Sequence, residues 1–381
     1  KFLCVSRPRR FGKSMAADML SAYYNCGEDT SALFENLKIS SAESYREHLN
    51  KYHVIKINMQ EFLSATDSVE AMLVMLKKYI SLDLFDQYEE TVRFRDEKNF
   101  TQVMKDVYAK TNRPFVILID EWDCLFREYA HNTDAQRKYL DFLRAWLKDQ
   151  DYVALAYMTG ILPIKKYGTH SALNMFMEFS MTDPGDLAEY FGFTEEEVFE
   201  ALDECGLGQE KAEVKHWYDG FTFGSYTDIY NPWSVLNFLD TGKYGTYWAN
   251  TSSNSLTGKL IREGNGEIKL TFEKLLRGEN IECPIDEQIV YNQLDDNENA
   301  IWSLLLASGY LKVLSYQQAE LLHYSEEVMY TLTLTNNEVH RMFFGMVRGW
   351  FSKNVKSYND FVRGLLTDDV DAMNICMNRL S

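Results

Sequence analysis

The chain has 381 residues, with 39 Lys and Arg against 57 Asp and Glu, a formal net charge of −18 and 46% hydrophobic residues. That length supports two or three domains, each with its own core, and the composition is that of a globular chain. The acidic balance argues against broad, sequence-independent nucleic-acid binding, which needs Lys and Arg to displace counterions from phosphate, and leaves at most a local basic groove. No apolar run approaches the roughly 18 to 20 residues of a membrane helix, and no signal-peptide pattern opens the sequence. The six cysteines are scattered, with no C-x-x-C pair and no His at metal-ligand spacing. They read as ordinary thiols in a reducing, cytoplasmic compartment. Position 1 is Lys, almost inside the first apolar run, so the sequence is expected to begin part way into a larger protein.

In chain order, Phe2 to Val5 is a short apolar run, and Arg7-Pro-Arg-Arg-Phe-Gly-Lys-Ser14 follows it. The first fourteen residues carry Lys1, Arg7, Arg9, Arg10 and Lys13 and no acid, which in an acidic chain points to an anion. The stretch is nearly a P-loop, G-x-x-x-x-G-K-[ST], in which backbone N–H groups wrap a phosphate chain, the Lys reaches the β and γ phosphates and the hydroxyl serves Mg²⁺. Gly12, Lys13 and Ser14 match, whereas Arg7 stands where the first Gly belongs. Met15, Met19, Leu20, Tyr23 and Tyr24 recur at helical spacing, so the loop opens a helix whose N-terminus faces bound phosphate. Arg9, Arg10, Phe11, Gly12, Lys13 and Ser14 are therefore the expected phosphate cradle.

Further apolar runs at Val54–Ile57, Phe115–Ile119, Val153–Met158 and Met175–Ser180 alternate with helical patterns at Val69–Ile80, Phe100–Thr111 and Asp134–Leu147. Such alternation predicts a parallel sheet covered by helices on both faces. The third run ends in Asp120-Glu121. An Asp at the end of a buried strand holds Mg²⁺ in P-loop NTPases, and a following Glu polarises the attacking water. Asp123 reads as a helix cap. Thr159, at the tip of the fourth run, either contacts the γ-phosphate or ends its strand with Gly160 permitting the turn. Lys165 and Lys166 either reach phosphate or are solvated.

Asp183-Pro184 predicts a helix start and Thr194-Glu-Glu-Glu197 a capping box, which marks a domain boundary near residue 182. Residues 183–284 read as a helical region in which His216 to Asn231 forms a packed aromatic loop. Helix Ala300–Ser308, strands Tyr310–Leu314 and Met329–Leu334 and a helix from Asn337 suggest a winged-helix-like unit over residues 285–345. From Asp286 to Gly345 its only cations are Lys312 and Arg341, which argues for a packing or partner role over DNA reading. Residues 346–381 read as a helical lead-in to a further domain.

Arg7 to Ser14, Ile119-Asp-Glu-Trp-Asp123, Thr159-Gly-Ile-Leu162, Trp217-Tyr-Asp-Gly-Phe221 with Gly224, Asn231-Pro-Trp-Ser234 and Ser308-Gly-Tyr-Leu311 together resemble the bacterial predicted AAA-ATPase-like proteins. The resemblance implies an α/β P-loop NTPase core over residues 1–182 with a helical lid and winged-helix-like unit after it. It also implies ATP with Mg²⁺ and a fused C-terminal PD-(D/E)xK nuclease-like domain. Glu213-Val-Lys215 and Glu267-Ile-Lys269 both read E-x-K, but neither lies on a convincing buried strand, so no nuclease site is expected within this chain.

Three readings follow. In the first the chain is an ATPase: Lys13 and loop N–H groups hold phosphate, Ser14 and Asp120 serve the metal, Glu121 activates water and Thr159 assists. In the second it is a nucleotide-dependent switch that hydrolyses slowly. In the third it is an interaction scaffold with a vestigial loop. Oligomeric state, with any arginine supplied by a neighbouring subunit, is open.

Overall fold

The computed structural model describes residues 1–162, 173–251, 258, 260–262, 264–286, 298–316 and 328–352. Lys165, Lys166 and nearly all of the expected lead-in helix lie outside these.

Strands β1 (Phe2–Ser6), β2 (His53–Asn58), β3 (Phe115–Asp120), β4 (Val153–Gly160) and β5 (Met177–Phe179) form one sheet in the order β2-β3-β4-β1-β5. Every pairing in it is parallel. Residues of β3 are buried along its whole length. Their side chains part to opposite faces with the two-residue period of a strand. Phe115, Ile117 and Ile119 join one core, with helices Val69–Tyr88, Phe100–Thr111 and Thr133–Leu147. Val116 and Leu118 join the other, with Ala17 of helix α1 (Lys13–Tyr24). The sheet is thus covered on both faces, as the continuous apolar runs predict, and the P-loop strand β1 sits inside it beside β4.

The second core does not stop at residue 182. Val5, Phe11 and Ala17 share it with Phe221, Trp248, Leu332 and Phe343, so the remainder of the chain packs directly against the sheet and its basic loop. Two expectations for that remainder change. Residues 183–284 are not simply helical: β6 (Phe193–Thr194), β7 (Phe221–Phe223) and β8 (Tyr226–Tyr230) make an antiparallel sheet in the order β6-β8-β7. The predicted aromatic loop is a helix end followed by a hairpin, with Gly224 at φ 59 in its turn, where a Cβ is disfavoured. After Asp183-Pro184 the chain makes a 3-10 turn, Gly185–Tyr190, without a side-chain cap. The Thr194 capping box is present, with Thr194 Oγ1 accepting from the Glu197 N–H and Glu197 accepting from the Thr194 N–H.

The expected hairpin appears as β10 (Leu311–Tyr316) and β11 (Met329–Leu334), and β9 (Ile281–Pro284), just before residue 285, adds a third strand in the order β10-β11-β9. Helices flank this sheet at Gly266–Leu276, Glu298–Ala307 and Asn337–Ser352. Both E-x-K triplets are helical: Glu213 and Lys215 lie in Lys211–Tyr218, Glu267 and Lys269 in Gly266–Leu276.

Candidate phosphate-binding site

The loop after β1 leaves the sheet with the Arg7 N–H still bonded to the Gly160 carbonyl at 3.1 Å. Arg7 has no positive φ; the left-handed residues here are Arg10 (φ 67) and Gly12 (φ 83). The missing first glycine is therefore not needed for backbone reasons. The Arg7 side chain is wholly buried and runs away from the loop. Its guanidinium donates to the carbonyls of Ser6 (2.9 Å), Phe179 (2.8 Å), Ser180 (2.9 Å) and Leu187 (3.2 Å) and lies over the Phe223 ring at 4.6 Å. Burial pulls it down to about 10, so it remains a cation near neutral pH. Arg7 is a tie between the loop and the segment after β5.

The other loop residues divide by direction. Pro8 is buried, Arg9 half-buried and Arg10 exposed, with the Arg10 guanidinium stacked over Trp233 at 4.7 Å. The Phe11 ring is buried edge-on against Phe221 (4.8 Å) and Phe223 (5.5 Å), leaving only its backbone for a ligand. Gly12 precedes α1, whose start has neither a side-chain cap nor an acid in its first turn. The N–H groups of Arg9, Arg10, Phe11, Gly12, Lys13 and Ser14 have no acceptor among the described residues. Consecutive orphan donors at a helix start form an anion site, because their dipoles and the helix's add at one point.

Lys13 is buried, and its Nζ donates to the carbonyls of Arg7 (3.0 Å) and Pro8 (2.9 Å). An ammonium has three protons, so one remains for phosphate. Burial lowers its pKa, and the nearby carboxylates of Glu121, Asp120 and Asp123 counter that.

The acids arrive on β3. Asp120 is buried and accepts from Ser14 Oγ at 2.5 Å, from Thr159 Oγ1 and from the Glu121 N–H at 3.1 Å. Ser14 and Asp120, expected to share a metal, are thus adjacent. Thr159 is fully buried and spends its hydroxyl on Asp120, so in this structure it orients that carboxylate. Glu121 is turned out of the strand by a left-handed backbone (φ 55). Burial pushes its pKa up, but Arg127 and then Lys13 outweigh burial and hold it below the usual range. Arg127, in the short helix Cys124–Glu128, donates to Glu121 Oε2 at 2.9 Å and to Gln60 Oε1 at 3.2 Å.

Asp123 precedes that helix but does not cap it with its side chain. It is fully buried, and Oδ2 accepts from the N–H groups of Ile161 (3.0 Å) and Leu162 (3.1 Å), which fixes the turn beyond β4. Burial raises its pKa. Gly160 makes this approach feasible, since a Cβ there would lie 2.7 Å from Trp122 Nε1 and 2.8 Å from Asp123 Oδ1.

Residues that sequence reasoning missed are Arg127 and Gln60 at Glu121, and Asn231 and Trp248 at the loop. Asn231 Nδ2 (3.2 Å) and Trp248 Nε1 (2.8 Å) both donate to the Arg9 carbonyl. Asn231 was legible as a cap before Pro232; nothing local signals its second bond.

The donor set fits Mg²⁺ bound with a nucleotide. Magnesium takes hard oxygen ligands and keeps several waters when it bridges phosphates, so one hydroxyl and one carboxylate suffice from the protein. A parallel sheet with the lysine loop after β1, the acidic strand two places away and a polar strand tip between them defines the P-loop NTPase class of the AAA type.

Residues 1–169 match the model of the AAA-ATPase-like family, described as Predicted AAA-ATPase. That match supports an ATP-binding P-loop module. An uncharacterised protein from the vnfD 5′ region of Azotobacter chroococcum mcd 1 is 23% identical over 268 residues, 68% of this chain and 49% of that protein. The chain spans about half the length of that relative. Among solved structures, the Aeropyrum pernix ORC1 protein in complex with DNA aligns over 93% of this chain and 88% of its own, at 12% identity and a TM-score of 0.33. The Aeropyrum pernix ORC2 protein (ADPNP–ADP complexes) aligns over 92% and 88%, at 9% identity and 0.36.

Proposed function

We propose that this chain is an Mg²⁺-dependent ATPase whose nucleotide state controls a further effector module, of the nuclease-like kind that the family resemblance implies. The observation that carries the proposal is the run of orphan N–H groups from Arg9 to Ser14, closed by Lys13 and floored by the Ser14–Asp120 bond. In this reading the loop N–H groups and the spare Lys13 proton hold the β and γ phosphates. Ser14 Oγ and Asp120 hold Mg²⁺, which when bound neutralises phosphate charge. Glu121 accepts the proton of the water that attacks the γ-phosphorus, while the bridging oxygen leaves on ADP. Thr159 keeps Asp120 in place.

A second reading, a slow switch, is favoured by the Arg127–Glu121 ion pair, which must open before Glu121 serves as base. Phosphate release by the wild type and Glu121→Gln separates the two. Hydrolysis predicts about a hundredfold loss of turnover or more, with ATP affinity kept. A switch predicts negligible turnover in both proteins.

A further inference from the structure

The two side chains that hold the Arg9 carbonyl lie 222 and 239 positions away in sequence, and one carboxylate is linked to both, to Trp248 through its backbone N–H and to Asn231 by way of Ser234. Asn231 Oδ1 accepts from the N–H groups of Trp233 (3.0 Å) and Ser234 (3.3 Å), which starts the helix Pro232–Thr241. That places Ser234 Oγ to donate to Glu338 Oε2 at 2.8 Å. Trp248 reaches the loop with its indole and Glu338 with its backbone: its N–H donates to Glu338 Oε1 at 2.7 Å, joined by the Ala249 N–H at 3.3 Å. Glu338 is fully buried in the first turn of helix Asn337–Ser352.

The same segment meets the loop at a second point. Thr335 Oγ1 donates to the Gly309 carbonyl at 2.8 Å, and Gly309 lies so close to Pro8 that a Cβ would approach Pro8 Cγ to 2.9 Å. The start of one distant helix therefore braces Pro8 and, through two arms, Arg9.

What this bracing does follows from peptide geometry. In a trans peptide the C=O and the next N–H point in opposite directions, and no cis bond is present among the described residues. Holding the Arg9 carbonyl toward Asn231 and Trp248 aims the Arg10 N–H the other way, and that N–H has no acceptor among the described residues. A carbonyl left unheld lets this peptide flip, and an N–H is replaced by an oxygen facing phosphate.

We propose that Glu338 is a positioning residue for the phosphate loop, acting through Trp248 and Ser234–Asn231, so that nucleotide affinity depends on the seating of helix Asn337–Ser352. The inference rests on the nucleotide reading above. By linkage the dependence is reciprocal, and bound nucleotide holds the helix in place.

The test is equilibrium binding of a non-hydrolysable Mg·ATP analogue to the full chain, as wild type, Glu338→Gln, Trp248→Phe and the double variant. Each single change is expected to weaken binding about tenfold, the worth of a buried hydrogen bond. The double change is expected to weaken it little further, because both interrupt one chain of contacts. Hydrogen exchange over residues 337–345 is expected to slow on analogue binding in the wild type and not in Trp248→Phe, which a purely structural role would not produce. Should Glu338→Gln fail to fold, Trp248→Phe decides alone, since it removes the indole N–H and keeps an aromatic ring. Unchanged affinity in the folded variants overturns this inference and leaves the nucleotide reading intact. Absence of binding by the wild type overturns both.

Discussion

The basic loop has two halves that the rest of the molecule treats differently. Gly12, Lys13 and Ser14 are set by the adjoining strand ends: Ser14 meets Asp120, and Asp120 meets Thr159. Pro8 to Phe11 are set from outside the sheet, by Gly309, Asn231, Trp248 and the strand Phe221–Phe223, while Arg7 is tied to residues 179–187. The inner half carries the charges and oxygens of phosphate chemistry. The outer half contributes backbone donors from Arg9 to Phe11, and its contacts outside the sheet decide which way they point. The residues proposed to handle phosphate are thus local to the sheet, and loop conformation depends on segments well beyond it.

Changes at four positions break or sharpen that contrast. Arg7→Ala strikes the outer half hardest: it leaves four carbonyl acceptors without their donor and opens a cavity, for an expected loss of about 4 kcal/mol in urea unfolding. Arg7→Lys, which keeps the charge and loses the fork, is expected to recover only part of it.

Glu338 gives the outer anchor a pH signature. Burial pushes its carboxyl from an ordinary 4.5 up to about 7. Between those values the folded state binds more protons than the unfolded one, so its contribution to stability falls as pH rises through the window, by up to about 3 kcal/mol. The difference in unfolding free energy between wild type and Glu338→Gln should decline across this range, and a pH-independent difference would show that Glu338 does not titrate there.

Gly160→Ala presses on the inner half. Its methyl meets Trp122 and Asp123, and overpacking there is expected to cost about 2 kcal/mol, read as a lower urea midpoint at unchanged slope. Thr194→Ala, remote from both halves, removes a cap for about 1 kcal/mol and is expected to leave nucleotide affinity alone, which marks the scale of a general stability effect.

The contrast also explains what was legible in sequence. The β3 run Phe115–Asp120 and the helix Phe100–Thr111 are visible because burial pattern and cap lie within a few residues of each other; Asn99 caps that helix by accepting from the Gln102 N–H. Gly12-Lys13-Ser14 and Asp120-Glu121 are visible for the same reason, as short motifs at strand ends. The β6–β8 pairing is not, because Phe193–Thr194 is only two residues long and its partner lies beyond two helices. Asp123 reads as a cap from its place before a helix, but its carboxylate serves backbone 38 and 39 positions on. Arg7 reads only as a departure from the first Gly of the loop and nothing in the sequence marks Glu338; the folded chain shows that each is buried among its hydrogen-bond partners.

The most direct test of the central claim is a calorimetric titration of Mg·ATP into the full chain and its Lys13→Ala variant. Lys13 Nζ is held by the Arg7 and Pro8 carbonyls and has a third proton to give, so the account predicts saturable one-to-one binding by the wild type and none measurable by the variant. Equal binding by both proteins, or none by the wild type, would contradict it.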